Sequence, residues 1–138
     1  MITKYKNTTI AAGGESAVDD GILYIYPATK IDAMIHEIES IEPREIVKGY
    51  RARFIHTEKL TIAFWEVEAG AVMPRHNHLH EQTTQVLEGR FELTVDSVST
   101  VYEPGMVGII PPFAQHGGVA LTNCKILDIF SPVREDYR

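Results

Sequence analysis

The stretch from Gly70 to Gly89, GAVMPRHNHLHEQTTQVLEG, holds three of the six histidines of the chain within five residues. In a β-strand, the side chains of residues i, i+2 and i+4 point to the same face of the sheet. The residues that would share that face in an unbroken strand are His76, His78, His80 and Gln82. Because neighbouring imidazoles are hard to pack and to satisfy, the pattern predicts a metal site in preference to a polar strand that faces solvent.

A second stretch, GMVGIIPPFAQH from Gly105 to His116, combines a glycine, a short apolar run, a Pro-Pro turn and a histidine. Together, the two stretches resemble the two sequence motifs of the cupin family. The residues that match the first motif at the family's spacing are Gly70, His76, His78 and Gly89. Gln82 stands where that motif has a glutamate. Gly105, Pro111 and His116 match the second motif, while Phe113 and Ala120 replace its glycine and asparagine. The resemblance implies the metal ligands His76, His78, Gln82 and His116.

The length, net charge and cysteine content of the chain limit its number of domains, its partners and its disulfide bonds. A chain of 138 residues is large enough for one domain with its own core. The formal net charge of -6 argues against nucleic acid or an anionic membrane as a partner, because both require a basic patch. Cys124 is the single cysteine, so no disulfide can form within the chain. Without a long apolar run, we expect a soluble, cytoplasmic protein.

The sequence pattern, and with it the predicted secondary structure, changes near residue 45. Residues 1–44 are interpreted as an N-terminal extension, with one strand in the apolar run from Gly21 to Tyr26. Isoleucines and a methionine then recur at spacings of three and four, which predicts an amphipathic helix from Lys30 to Ser40, ending before Pro43. Residues 45–138 are interpreted as the second part of the chain, a β-barrel domain.

Beyond residue 45 the hydrophobic period is two, and turn signals recur about every ten residues, which is typical of an all-β sandwich or barrel. The predicted strands cover 45–48, 51–56, 59–68, 72–78, 83–88, 90–96, 99–103, 106–110, 115–121 and 124–131. Glu88 and Gly89 are predicted to form a hairpin turn between two of them. The cupin resemblance narrows this all-β class to a jelly-roll barrel with the metal inside its mouth.

The implied ligand set has no negative charge. Three neutral imidazoles and the Gln82 carboxamide leave the charge of a divalent ion uncompensated, which favours an anionic substrate. Zn, Ni, Mn and Fe all tolerate such ligands, so the metal is a divalent transition ion whose identity stays open. His80 and Glu81 are rivals of Gln82, and strand alternation would turn Glu81 to the opposite face.

The C-terminal run LDIFSPVREDYR also contains chemically useful residues. Asp128 and Phe130 share one face of the last predicted strand, and an inward aspartate beside a metal would be a general acid or base. A surface carboxylate fits the pattern equally well. Arg134 could hold a substrate carboxylate with its planar fork, or could form a surface salt bridge.

The HxHxHEQ motif and a terminal D-x-F-S-P-x-R-E-D segment are similar to the KdgF-like branch of small cupins. Members of that branch open the ring of unsaturated uronates into linear keto forms. The resemblance implies that Asp128, Phe130 and Arg134 are catalytic, that the substrate is a small anion, and that the protein is a homodimer. Two alternatives stay open: a cupin dioxygenase or isomerase of another small acid, and a cupin that binds a small ligand without catalysis.

Overall fold

In a computed structural model, the described part of the chain is residues 33–138 together with three short strands before them. These strands are β1 (Thr3–Tyr5), β2 (Ser16–Asp19) and β3 (Ile22–Ile25), which pair antiparallel in the order β1-β3-β2. Strand β3 coincides with the strand predicted from Gly21 to Tyr26. The chain divides into two compact units, 1–36 and 37–138.

Residues 37–138 form two antiparallel sheets. Their strands are β4 (Arg44–Val47), β5 (Tyr50–His56), β6 (Thr61–Val67), β7 (Val72–His76), β8 (Glu81–Glu88), β9 (Phe91–Val95), β10 (Val98–Tyr102), β11 (Val107–Ile110), β12 (His116–Ala120) and β13 (Cys124–Ser131). One sheet has the order β11-β8-β13-β6-β5-β4, and the other has the order β10-β9-β12-β7. The prediction of an all-β jelly roll is confirmed, and each predicted barrel strand corresponds to an observed one.

Strand alternation places the core between the two sheets. Along β6 and β13, every second residue is buried, because one face of the sheet turns inward. Trp65 is buried while its neighbour Phe64 is only half-buried, as their opposite directions require. The Trp65 ring meets the Tyr50 ring edge-on at a centroid distance of 6.2 Å. These aromatic rings are part of the hydrophobic core between the two sheets.

The helix predicted from Lys30 to Ser40 is wrong over the residues that can be compared. Residues 33–37 have no regular secondary structure, and only a short 3₁₀ helix, Ile38–Ser40, follows them; residues 30–32 lie outside the described part. Met34 and Ile35 are 88% and 90% exposed. A short helix depends on burying its apolar face, and repeated isoleucines lower its intrinsic propensity, so the spacing alone does not produce one.

The predicted hairpin at Glu88 and Gly89 is also corrected. Strand β8 pairs with β11 and β13, whereas β9 pairs with β10 and β12, so this turn carries the chain from one sheet to the other. Gly89 has a φ of 87°, and a Cβ there would clash with the carbonyl oxygen of Asn123. This close approach and the positive φ both require glycine. A tight hairpin turn also uses glycine at a positive φ, so the residue alone does not distinguish a hairpin from a crossing between sheets.

Among the described residues, no helix is long and apolar enough to cross a membrane.

Candidate metal centre

Three histidines meet where the two sheets open. His76 ends β7 and His116 begins β12, and the two residues are paired across the sheet. His78 lies in the bend between β7 and β8. One ring nitrogen from each histidine lies within 4.8 Å of the other two. The cluster could therefore bind a metal ion, and imidazole nitrogens are ligands that Zn, Ni and Fe accept.

The histidine rings are oriented by contacts with the backbone. The Nδ1 atoms of His76, His116 and His78 lie 2.8, 2.9 and 3.1 Å from the carbonyl oxygens of Pro74, Ala114 and His80, respectively. A carbonyl can only accept, so in the neutral form of each ring the proton is on Nδ1 and the lone pair of Nε2 is the one available to a metal. The Nε2 atom of His116 is buried and has no hydrogen-bond partner. That orphaned nitrogen fits a metal ligand.

Burial keeps two of these histidines in the form that binds a metal. It lowers the pKa of His78 to about 4, and the positive charge of Arg134 acts in the same direction. Burial also lowers the pKa of His116. A metal requires the neutral imidazole as its ligand. The His78 and His116 rings are therefore ready to bind a metal at neutral pH without first losing a proton.

Gln82 reaches the cluster, although not through an unbroken strand. The strand predicted over 72–78 ends at His76, and β8 begins only at Glu81. The bend between them brings the Oε1 atom of Gln82 to 3.2 Å from the Nε2 atom of His78. The His80 ring packs 5.3 Å from the His78 ring, but its Nε2 atom lies 3.2 Å from the carbonyl oxygen of Val133, and Glu81 is exposed. Of the three rivals, Gln82 is the one whose side-chain oxygen lies beside a ring nitrogen of the cluster.

Asp128 points inward from β13, so it is not a surface carboxylate, and its role as a general acid or base stays a prediction. It is buried, and its Oδ1 atom has no hydrogen-bond partner. Burial raises the pKa of Asp128 to about 6, and nearby Thr84 and Gln82 only partly offset this effect. A carboxyl group with this pKa can both accept and donate a proton near neutral pH.

Arg134 is buried and also forms an ion pair, so it combines features of the two alternatives that the sequence left open. Its Nε and Nη2 atoms donate to the two carboxylate oxygens of Asp136 at 2.9 and 2.7 Å. The guanidinium carbon lies 4.9 Å from the centre of the Phe130 ring and 4.1 Å from that of Tyr137. Phe130 is itself buried, with its ring 5.6 Å from the His78 ring.

Sequence reasoning missed Asp136 and Tyr137. Both lie in the C-terminal 3₁₀ helix Glu135–Tyr137, and the Tyr137 ring packs 4.7 Å from the Phe54 ring. Neither residue follows a strand period that would have indicated an inward position. The charge pair of Arg134 with an acid two residues later was the available signal, and it is common on protein surfaces.

One cavity connects these groups. Its walls include His76, Gln82, His116, Asp128, Phe130, Arg134 and Tyr137, together with the aromatic residues Tyr50, Trp65 and Phe91. We call His76, Gln82 and His116, together with His78 of the same cluster, the histidine wall. We call Asp128, Phe130, Arg134 and Tyr137 the C-terminal wall. The cavity thus combines nitrogen and oxygen donors, a carboxyl group that titrates near neutral pH and a guanidinium.

Residues 63–130 match the family model described as a cupin domain. A solved structure of an RmlC-like cupin from Shewanella frigidimarina NCIMB 400 is 30% identical, with a TM-score of 0.73 over 78% of this chain and 97% of that one. The structure of KdgF from Halomonas sp. is 26% identical, with a TM-score of 0.73 over 78% of this chain and all of that one (100%).

More distant structures share only the fold. A variant of salicylate 1,2-dioxygenase from Pseudoaminobacter salicylatoxidans is 18% identical, with a TM-score of 0.60 over 64% of this chain and 28% of that one. The comparison with curated proteins found no match. The chain is thus similar over most of its length to two small structures, each of which it covers almost completely.

Proposed function

This chain belongs to the cupin family, and we propose that it is a metal-dependent enzyme acting on a carboxylate-bearing sugar. The proposed reaction is the one that the resemblance to KdgF-like cupins implies, in which the ring of an unsaturated uronate opens and a linear keto acid forms. The supporting observation is that one cavity is lined by two of the three clustered histidines, His76 and His116, together with a buried carboxyl group and a buried guanidinium. The similarity to the KdgF structure is consistent with this proposal.

The histidine wall would hold the metal. The Nε2 atoms of His76, His78 and His116 and the Oε1 atom of Gln82 are the proposed donors. All four are neutral, so a divalent ion bound there would keep its full charge and act as a Lewis acid and an anchor for an oxygen anion. The backbone contacts of the three Nδ1 atoms would keep the rings in position as ligands exchange.

Asp128 is the proposed proton carrier. Ring opening of an unsaturated uronate yields an enol, which becomes a ketone when its hydroxyl loses a proton and the neighbouring carbon gains one. The reaction is an isomerisation with no net gain or loss of protons, so a single carboxyl group that takes up and returns a proton is sufficient. Asp128 is buried, its Oδ1 atom has no hydrogen-bond partner, and it lines the same cavity as His76 and His116, so it is placed to take up and return that proton.

Arg134 and Phe130 are the proposed binding residues. The Nη1 atom of Arg134 is buried without a partner, and a substrate carboxylate would give it one. The Phe130 ring packs against both Arg134 and His78, so it would form the apolar wall that keeps water from the enol. The uronate would then lie between the two walls of the cavity.

The direct test is to incubate metal-loaded protein with 4-deoxy-unsaturated galacturonate and follow the loss of its ultraviolet absorbance. We expect a rate well above the spontaneous one, and we expect the product to be the linear keto acid. A rate equal to the spontaneous one, with the metal content verified, would reject the proposal. The metal content of Gln82→Glu should remain that of the unsubstituted protein, because a glutamate can bind in the same place.

A dioxygenase is the second candidate, because three clustered histidines also suit an iron that reacts with oxygen. Oxygen consumption by the iron-loaded protein with small aromatic or keto acids would favour it. Binding of a small anion without any turnover would instead favour a cupin that only binds its ligand. The homodimer stays a prediction, which sedimentation analysis can test.

A further inference from the structure

Arg134 has two edges that can each hold a carboxylate, and one of them is already occupied. Asp136 accepts from the Nε and Nη2 atoms, so it covers the whole Nε–Nη2 edge. The other edge, formed by Nη1 and Nη2, ends in an Nη1 atom that is buried and has no partner. Because Arg134 lines the cavity, this second edge is the one left for a ligand.

Two aromatic rings restrain the orientation of the guanidinium plane, in addition to the contact of Asp136 with one edge. The rings of Phe130 and Tyr137 lie 4.9 and 4.1 Å from its central carbon, and the backbone nitrogen of Arg134 donates to the Thr61 hydroxyl at 3.0 Å. Arginine stems have several rotatable bonds, so an isolated guanidinium would present any edge to a ligand. Removing the Asp136 carboxylate would release that restraint, although the two rings would remain.

We propose that Asp136 is a positioning residue for the carboxylate-binding site. The inference deepens the proposed function, because it assumes that Arg134 holds the acid group of the substrate. Asp136 fixes the Nη1–Nη2 edge towards the cavity, so the substrate carboxylate can dock in one orientation. Its own negative charge also weakens the attraction of Arg134 for anions, so the product can leave.

The charge of Asp136 weakens the binding of anions, whereas the guanidinium edge that Asp136 fixes favours turnover. Loss of the Asp136 charge removes a repulsion of the bound carboxylate, so an anion should bind more tightly. Loss of the fixed edge should let the substrate dock in several orientations, and misplacement by about an ångström can lower turnover by about a hundredfold. If Asp136 only held the C-terminal 3₁₀ helix in place, its loss would weaken both binding and turnover.

Glu135 provides a matched control. It lies in the same 3₁₀ helix, is exposed and is acidic, but its carboxylate pairs with Arg138 at 3.3 Å and makes no contact with Arg134. The substitutions Asp136→Asn and Glu135→Gln therefore remove the same charge from neighbouring positions. Only the first one breaks the two-point ion pair with the guanidinium, because asparagine keeps one acceptor oxygen and replaces the other with an amide group that cannot accept.

The experiment measures binding and turnover in separate arms. The Kd for D-galacturonate, a saturated uronate without the ring double bond, is measured by calorimetry, with neutral D-galactose as the blank. For Asp136→Asn we expect the Kd to fall by about threefold or more and kcat to fall by about tenfold or more. Glu135→Gln should stay within about twofold of the unsubstituted protein in both quantities. Asp136→Glu keeps the charge but shifts it, so it should lower kcat without tightening the binding.

The outcomes separate this inference from the proposed function. If Asp136→Asn matches Glu135→Gln in both arms, or binds galacturonate more weakly, the positioning role is overturned while turnover of the unsaturated uronate still supports the function. If no uronate is turned over but Asp136→Asn binds galacturonate more tightly, the site is a carboxylate site and the reaction is wrong. If the unsubstituted protein does not distinguish galacturonate from galactose, the inference falls. Should Asp136→Asn fail to fold, Asp136→Glu decides by its kcat.

Discussion

The two walls of the cavity are held in place by different means. In the histidine wall, each ring is oriented by a backbone carbonyl two residues away in the chain, so its geometry is local. In the C-terminal wall, Asp128 is placed by burial in β13, and Arg134 is placed by an ion pair with Asp136 and by two aromatic rings. Local backbone contacts fix the donors, and tertiary packing fixes the acid and the guanidinium.

This difference has a chemical consequence. In the histidine wall, burial lowers the pKa of His78 and of His116, which favours the neutral form of those two rings. The C-terminal wall contains the ionisable groups. Burial raises the pKa of Asp128, and the negative charge of Asp136 offsets the positive charge of Arg134. We therefore expect substitutions in the first wall to act on metal binding and substitutions in the second to act on proton transfer and substrate docking.

The largest effect is expected in the histidine wall. In His116→Ala, the metal should be lost and turnover should fall to the spontaneous rate, because one of three clustered donors is gone. Metal content per chain, measured by mass spectrometry of the purified protein, tests this. His36→Ala is the control, since His36 is exposed, and it should leave the metal content unchanged. Equal metal content in the two variants would mean that the cluster is not the metal site.

In the C-terminal wall, Asp128→Asn should lower kcat by about a hundredfold to ten-thousandfold and leave the metal in place. Asparagine has nearly the same shape but cannot carry the proton. Turnover and metal content are measured on the same preparation. Loss of the metal along with the activity would show that the two walls are not independent, and full activity would remove Asp128 from the mechanism.

Asp128 should also leave a signature in stability. Burial raises its pKa from 3.8 to about 6 in the folded protein, so the folded state binds the proton more tightly than the unfolded one. The contribution of that proton is present at low pH and is lost as the pH rises through about 6, which costs on the order of 3 kcal/mol.

In metal-free protein, Asp128→Asn should therefore gain stability relative to the unsubstituted protein between about pH 4 and pH 7, by up to about 3 kcal/mol. Urea unfolding at both pH values measures this difference. The lowered pKa of His78 acts in the opposite direction, but it is present in both proteins and cancels. A difference that does not change with pH would contradict the raised pKa of Asp128.

The sequence was most informative where the geometry is local. The spacing of Gly70, His76 and His78 and the position of Gln82 follow a motif, and the strand period placed Asp128 and Phe130 on one face. Among these residues, His76, His78, Gln82, Asp128 and Phe130 line the cavity or belong to the histidine cluster. Alternation held along β13 because that strand is continuous through Asp128 and Phe130.

Sequence reasoning failed where a side chain is positioned by distant contacts. His80 shares the strand period of His76 and His78, but the bend between β7 and β8 breaks the period and turns His80 towards Val133. Tyr137 reaches the cavity because its helix packs against Phe54, and no local pattern encodes that contact. A periodic pattern predicts a face only as far as the strand extends.

The smallest predicted effect tests whether the histidine wall depends on the backbone alone. Phe113 stands where the cupin motif has glycine, and its φ of 65° lies in the left-handed region. Its ring is exposed, but its backbone nitrogen donates to the carbonyl oxygen of His78 at 2.8 Å. The contact that supports His78 therefore requires a backbone conformation that a side chain at residue 113 disfavours.

Phe113→Gly should relieve that strain and keep the N–H donor. We expect a gain of about 0.5–1 kcal/mol in the free energy of unfolding, after the larger entropy of glycine in the unfolded chain is subtracted. Metal affinity should not change, because the contact with His78 is preserved. Phe113→Ala is the matched control, since it also removes the ring but keeps the Cβ atom and its strain. If the alanine variant is as stable as the glycine variant, the strain is absent; if metal affinity falls only in the glycine variant, side-chain restraint at residue 113 also holds the histidine wall.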